Sequence, residues 1–361
     1  MVNLKVELGD KTYPLFIGND ILSNVGEIYK LYGYKPCATL ITNLNSKKNF
    51  YFDSVVESFK KRNIEVNPIF LTDRQLEQGL VTVQEVALQL AKQNFQPEDT
   101  IVSIGGSRVA SISAFIAQMI YGGTPYLQIP TTLTSQIVQS VEPVSRINFD
   151  SHLNLFSINF AHSLVWTDVA LLKTLPERNF ISGFGYIIQS ACLSDDGFFE
   201  FLENNLDDFL KVKIEILEET IFRSCRNRID FLNRTWSKHK KPDPYNLGEF
   251  VASIVSEASG SEVRYGETLL VGIFVEGIAS FKSGIFDGSD FERFYELFKR
   301  VSLNRVIDQI NRDKIINYLN NENYFHQFPA LHAIQGIGQF KQSHKFELSD
   351  FLLALDLAFS I

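Results

Sequence analysis

Histidine and cysteine are scarce in this chain: six and three residues out of 361. The histidines stand at positions 152, 162, 239, 326, 332 and 344, and no two have the spacing that sets a pair of metal ligands on one helix face. Cys37, Cys192 and Cys225 lie far apart and form no C-x-x-C pair. That excludes a disulfide framework, and each reads as a small buried apolar residue of a reducing compartment. Long hydrophobic runs are missing as well. The longest, such as residues 269–275, falls well short of the roughly 20 apolar residues of a membrane-spanning helix, so no membrane partner is expected. The start of the chain alternates as a strand does and lacks the zones of a signal peptide, from which a cytoplasmic location is expected. Positive charge is in deficit, with 34 Lys and Arg against 42 Asp and Glu. Without a basic stripe to neutralise phosphates, nucleic-acid binding is excluded. The one dense basic run, Lys238-His239-Lys240-Lys241, reads as a solvated loop.

What the chain does have is a hydrophobic fraction of 45%, patterned in two regimes. A hairpin is expected over residues 5–8 and 14–17, turned by Gly9-Asp10-Lys11. Strands over 38–42, 64–71, 100–104 and 127–130 then alternate with helices over 51–62, 81–93 and 110–121. Such alternation implies a parallel sheet with helices on both faces, the doubly wound, Rossmann-like α/β class. From about residue 170 the period is helical, over 198–232, 247–258, 268–280, 290–301 and 348–360. We therefore expect an α/β domain over 1–165 and an all-α domain over 166–361, with ligand taken up in the cleft between them, outside the carboxyl ends of the strands.

The strand at 100–104 runs into Gly105-Gly106-Ser107, and a helix opens just beyond. Glycines there let the backbone approach a phosphate, and a helix N-terminus supplies free N–H groups. A tight strand-to-helix turn without a ligand needs the same residues. A second loop, Pro130-Thr131-Thr132-Leu133, adds two hydroxyls beside that turn.

Taken together, several segments resemble dehydroquinate synthase and the wider sugar-phosphate cyclase family. They are Val6-Glu7-Leu8-Gly9, Tyr13-Pro14-Leu15-Phe16-Ile17-Gly18, Ile104-Gly105-Gly106, Gln128-Ile129-Pro130-Thr131-Thr132-Leu133, Asp168, Leu172-Lys173-Thr174-Leu175-Pro176-Glu177-Arg178, Asn246-Leu247-Gly248 and Gly266-Glu267, in that order. The resemblance implies a dehydroquinate synthase-like fold, with NAD in the N-terminal domain and zinc at the cleft. It also implies oxidation, phosphate elimination, reduction and cyclisation of a seven-carbon sugar phosphate. The positions it gives to the dinucleotide are Thr42, Asn43, Gly105, Gly106, Ser107, Thr131, Thr132, Thr174 and Leu175. A homodimer built through the N-terminal domain is expected from the same resemblance, and residues 112–121 offer a long apolar segment for it.

Particular positions depart from the family. Its zinc ligands fall at Tyr186 in Gly183-Phe184-Gly185-Tyr186, at Glu249 in Asn246-Leu247-Gly248-Glu249, and at Tyr265 in Tyr265-Gly266-Glu267; a further active-site histidine falls at Ser253. Two phenols and one carboxylate do not supply a zinc site, so zinc is not expected. The basic residues for the substrate's anionic groups fall at Val144, Leu153 and Gln189, with Pro242 for an arginine and Val138 for an aspartate. Asn154, Arg228, Asn246 and Glu267 are what remains of that pocket, with Lys241 as a displaced cation. On the nucleotide side Ser107 stands for a third glycine and Ser111 for an aspartate, while Arg74, Gln75 and Gln78 replace the family's Gly-Glu and Lys. No tightly bound cofactor is expected. NAD should bind only near millimolar concentration, since each lost charged hydrogen bond costs about 1.5–3 kcal/mol and about 1.4 kcal/mol is tenfold in affinity. These losses set the expectation of a non-catalytic homologue that does not form dehydroquinate, a scaffold for a protein partner or an altered ligand. A zinc-independent enzyme using Glu249, Glu267 and the tyrosines is the second reading, and an ordinary dehydroquinate synthase the third.

Overall fold

The computed structural model describes residues 1–8, 11–44, 51–77, 79–149, 152–194, 196–239, 246–259, 263–301, 303–320 and 331–360. Gly9-Asp10, Gln78, Lys240-Lys241, Pro242 and His326 lie outside the described residues. In chain order the main elements begin with β1 (Val2–Leu8), β2 (Lys11–Gly18), α1 (Val25–Leu31), β3 (Cys37–Asn43), α2 (Tyr51–Lys60), β4 (Glu65–Leu71), α3 (Leu80–Lys92), β5 (Thr100–Gly105) and α4 (Ser107–Met119). They continue with β6 (Tyr126–Pro130), β7 (Val144–Phe149), β8 (His152–Asn159), β9 (Leu164–Asp168), α5 (Glu177–Ser194), α6 (Asp196–Leu210) and α7 (Ile214–His239). The last are α8 (Glu249–Ser259), α9 (Tyr265–Lys282), α10 (Gly288–Arg300), α11 (Arg312–Asn320), β10 (Leu331–Gly336), β11 (Gln339–His344) and α12 (Leu348–Ala358).

The chain forms two compact units: Met1–Pro176 with Lys211–Lys238, and Glu177–Leu210 with His239–Ile361. The 165/166 boundary read from the sequence falls inside β9, which is hydrogen-bonded between β2 and β6. Residues 211–238, carrying most of α7, belong with the first unit.

The first unit is built on a seven-stranded sheet in the order β1-β2-β9-β6-β5-β3-β4. Only the edge pair β1–β2 is antiparallel; the pairs from β2 to β4 are parallel. Strands buried on both faces must be apolar at successive positions, and alternate residues then serve opposite cores. Leu40, Val102, Leu127 and Trp166 pack with Val25, Val55 and Phe59 on one face. Ile41, Ile101 and Tyr126 pack with Val86, Leu90 and Phe115 on the other. Pro68 sits in β4, at the sheet edge where a missing N–H is tolerated. Ile112, Phe115 and Ile116, the apolar residues read as a dimer surface, are buried in that second core, whereas Met119 and Tyr121 are exposed at 53% and 61%. The β7–β8 hairpin stands as a separate two-stranded sheet.

The second unit is helical apart from the β10–β11 hairpin. The sequence pattern over 198–232 reads as one helix, but the chain breaks between α6 and α7, with Val212 at φ 58°. No glycine or proline marks that break. Helix α9 is buried on every side from Gly266 to Ser280, as a central helix must be. Its neighbours α5 and α8 approach until backbones touch. A Cβ on Gly185 would lie 2.5 Å from Gly266 O, and one on Gly266 would lie 1.8 Å from Ser182 O. On the α8 side a Cβ on Gly272 would lie 2.0 Å from Gly248 O. Among the described residues no helix is long and apolar enough to cross a membrane.

Two expectations follow from this packing. Gly266→Ala should lower stability by about 2 kcal/mol or more through overpacking. Gly288→Ala, with no atom within 4 Å of its added carbon, should leave it unchanged or slightly raised; denaturant midpoints check both. The second expectation concerns His162, buried between Tyr13, Tyr126 and Phe160 with Nε2 2.7 Å from Gln128 Oε1. Burial pushes this imidazole down to about 3. Unfolded histidine binds its proton near about 6.5, so the stability this residue contributes is complete above that pH and is lost as pH falls toward about 3. Unfolding midpoints measured from pH 7 to about 4 should therefore fall less steeply for His162→Gln than for the wild type; parallel slopes would contradict it.

Candidate active site

In an open α/β sheet a ligand crevice forms at the carboxyl ends of the two strands from which the chain winds in opposite directions. Here those strands are β3 and β5: the chain leaves β3 outward to β4, then returns to β5 and proceeds through β6. Thr42, Asn43, Gly105, Gly106 and Ser107 lie at that point, with Thr131 and Thr132 just after the adjacent β6. Thr174 and Leu175 close the short helical turn after β9.

Several side chains at this crevice are already engaged. Thr42 Oγ1 donates to Ile104 O at 2.7 Å, Ser107 Oγ to Gln139 Oε1 at 2.7 Å, and Thr174 Oγ1 to Leu171 O at 3.1 Å. Thr132 Oγ1 lies 2.9 Å from Ser135 Oγ. Thr131 N donates to Gly105 O at 3.0 Å, and Leu175 N donates to Leu172 O at 3.1 Å. A Cβ on Gly105 would meet Val109 at 2.8 Å and one on Gly106 would meet Thr132 at 3.0 Å, so the space left by these glycines is filled from within the unit. The turn offers a dinucleotide the first N–H groups of α4, while the Thr42, Ser107, Thr132 and Thr174 hydroxyls are bonded within the unit.

The first-unit positions that the resemblance gives to the substrate pocket differ in burial. Val138 is buried and Val144, at the start of β7, is half-buried. Leu153 lies on β8, its side chain outside the described residues. Asn154 is exposed at φ 55°, its N–H donating to Asn148 Oδ1 at 2.9 Å. Buried Arg228 donates to Glu142 Oε1 at 3.2 Å, and Arg146 lies 3.6 Å from the other oxygen of the same carboxylate.

In the second unit the three positions that the resemblance gives to zinc ligands converge. Tyr186 and Gln189 lie on α5, Glu249 opens α8, and Tyr265 opens α9. The Tyr265 hydroxyl donates to Glu249 Oε2. Gln189 Nε2 donates to Leu247 O at 2.8 Å and stands 3.4 Å from Glu249 Oε1. Tyr265 is 40% exposed; its partial burial raises the phenol pKa above the ordinary value, and the Glu249 and Tyr186 groups add to the effect. Ser253 does not join the cluster, since its hydroxyl donates to Phe250 O at 2.7 Å within α8. Asn246 contributes its carbonyl, which accepts from Glu249 N at 3.1 Å. Glu267 serves α9 itself: Oε2 caps Arg264 N at 2.8 Å, while Arg178 grips both oxygens at 2.8 and 2.9 Å. That is a capping box joined to a bidentate ion pair.

One member is invisible in the motif reading. Glu276 is fully buried on α9 and accepts from Gly248 N at 2.6 Å and Val251 N at 3.3 Å. Burial, with a smaller contribution from Glu249, pushes it up to about 8. Its signal was a lone acid closing the longest apolar run of the sequence. The donor set at this cluster, Glu249 engaged by a phenol and an amide and Glu276 engaged by backbone N–H groups, does not match zinc's preference for imidazole, thiolate and carboxylate in a tetrahedron. Among the described residues no group of three His, Cys, Asp or Glu side chains could hold a metal ion. What the cluster can do is acid–base chemistry: a carboxylate that accepts a proton beside a phenol kept protonated.

Comparison with known proteins completes the picture. The family model described as 3-dehydroquinate synthase N-terminal matches residues 69–182, and 3-dehydroquinate synthase C-terminal matches residues 183–323. The 3-dehydroquinate synthase of Thermodesulfovibrio yellowstonii is 29% identical over 304 residues, 84% of each chain. That of a Thermoanaerobacter species is 24% identical over 314 residues, 87% of this chain and 88% of its own. Among solved structures, a 2-deoxy-scyllo-inosose synthase superposes with TM-score 0.84 at 17% identity over 99% of both chains. The 2-epi-5-epi-valiolone synthase of Streptomyces hygroscopicus, solved with NAD+ and Zn2+ bound, gives TM-score 0.82 at 17% identity over 98% of both. These two show the fold. The named relatives, synthases along both halves of the chain, overturn the expectation of a non-catalytic scaffold that forms no dehydroquinate. That expectation equated loss of the family's ligand residues with loss of chemistry, whereas Glu249 and Tyr265 are re-paired as proton acceptor and donor. The chain belongs to the 3-dehydroquinate synthase family.

Proposed function

We propose that the chain is a catalytic member of this family, a cyclase of the 3-dehydroquinate synthase type that expels phosphate from a seven-carbon sugar phosphate and closes the ring. Its relatives' names along 84–88% of their length support the reaction class. The observation that carries the site is the Tyr265–Glu249 hydrogen bond, formed where the family keeps its metal ligands. Eliminating phosphate requires a base for a carbon-bound proton and an acid for a developing oxyanion. Glu249 is the base and Tyr265 the acid, a phenol being protonated at neutral pH. No zinc takes part in this reading. NAD, when bound, supplies the reversible hydride transfer, and we propose that it occupies the β3–β5 crevice with a dissociation constant near millimolar. We propose a cytoplasmic homodimer, joined through the first unit.

Phosphate release from the seven-carbon substrate, measured with NAD in the millimolar range, tests the proposal. Glu249→Gln should reduce kcat by about a hundredfold or more and Tyr265→Phe by about tenfold or more, general acid–base catalysis contributing about 10²–10⁴. Wild-type protein that releases no phosphate would sink the activity. Variants as fast as the wild type would sink the assignment. Sedimentation at micromolar concentration should give a dimer, and a monomer there would contradict that part.

A further inference from the structure

We propose that Glu276 is the positioning residue of the acid–base pair: from the middle of α9 its carboxyl group clamps the first turn of α8 and so holds the Glu249 carboxylate against the Tyr265 hydroxyl. The inference rests on the roles proposed for Glu249 and Tyr265 and assigns one to a residue that touches neither substrate nor cofactor.

Glu276 lies in a helix buried at every position from Gly266 to Ser280. A carboxyl group moved from water into such a place is costly unless hydrogen-bonded, and here its two oxygens accept from Gly248 N at 2.6 Å and Val251 N at 3.3 Å. These two N–H groups bracket Glu249 in the sequence. They belong to the opening of α8, where the first N–H groups of a helix find no partner within it. Their cap comes from another helix, at Glu276, one turn beyond Ile273.

The same face of α9 fixes the backbone as well. Gly248 adopts φ +82°, and a Cβ there would lie 2.5 Å from Ile273 Cγ1 and 2.6 Å from Ile273 N. The residue before Glu249 is therefore held by close contact and by a hydrogen bond to Glu276, from positions three apart on one helix face. With its backbone held in this way, the Glu249 carboxylate meets Tyr265 of α9 and Gln189 of α5. Among the described residues Glu249 acts on Glu276, and Glu276 in turn acts on Tyr265 together with Glu249 and Tyr186. Holding Glu276 as the neutral acid up to about pH 8 keeps a second negative charge away from the base in the neutral range.

Two measurements on the full chain test this. In the first, the pH dependence of turnover is compared for the wild type and Glu276→Gln, which keeps one acceptor and the side-chain volume. The expected result is a fall in kcat of about tenfold at unchanged KM, with loss of a wild-type inflection near pH 8. An unchanged kcat and profile would overturn the proposal. The second needs no turnover, so it stands even if the proposed activity fails. Infrared titration follows the protonated-carboxyl band, expected to vanish near pH 8 in the wild type and to be missing in Glu276→Gln. In Glu249→Gln, which leaves Glu276 in place, its midpoint should drop by about one pH unit, the neighbouring charge being gone. A midpoint unmoved by that substitution would also overturn the proposal.

Discussion

The second unit depends on backbone-to-backbone contact between helices. Helix α9 touches α5 through Gly185 and Gly266 and touches α8 through Gly248 and Gly272, at distances no Cβ could share. Each contact is adjacent in sequence to a site residue: Gly185 to Tyr186, Gly248 to Glu249, Gly266 to Tyr265. The packing and the site are therefore one construction. As long as the glycines are kept, whatever side chains stand beside them are delivered to the same place. Replacing the side chains changes the chemistry there without disturbing the helices.

That separation explains how the chain keeps a family fold while departing from the family's ligand residues. Positions aligned with metal ligands still converge, but as a phenol hydrogen-bonded to a carboxylate over a buried glutamic acid. The first unit shows the same division. Its crevice between β3 and β5 is formed, and the Gly105-Gly106 turn is filled by Val109 and Thr132. Of the hydroxyls that the family resemblance gives to a dinucleotide, Thr42 is tied to Ile104 and Ser107 to Gln139, while Thr132 and Thr174 bond within their own turns. Arg228, which the resemblance gives to the substrate pocket, is met by Glu142, which also draws in Arg146.

Much of the fold was legible because periodicity reports burial. Strand 100–104 and its glycine turn, the helix after it, and the alternation through β6 follow from residues that must be apolar on both sheet faces. Elements whose pattern is diluted were not legible. Helix α5 carries Gly183 and Gly185 in its middle, which read as punctuation although they serve close packing. The break at Val212 has no turn residue to announce it. The hairpins β7–β8 and β10–β11 are short and isolated from the main sheet. In the site, Tyr186, Glu249 and Tyr265 were found through glycine-anchored motifs. Glu276 and Arg146 belong to no motif, and their roles arise only from contacts 25 and 4 residues away in sequence. A charged residue ending an apolar run was the available signal for Glu276.

Proton transfer by Glu249 and Tyr265 without a metal sets this family member apart from a zinc enzyme in the proposed reaction. It is tested most directly by counting metal and turnover on one sample: elemental analysis of purified protein alongside phosphate release from the seven-carbon sugar phosphate, before and after treatment with a chelator. The account predicts far less than one zinc per chain and a rate that chelation leaves unchanged. One equivalent of zinc per chain, with activity lost on its removal and restored on its return, would contradict it.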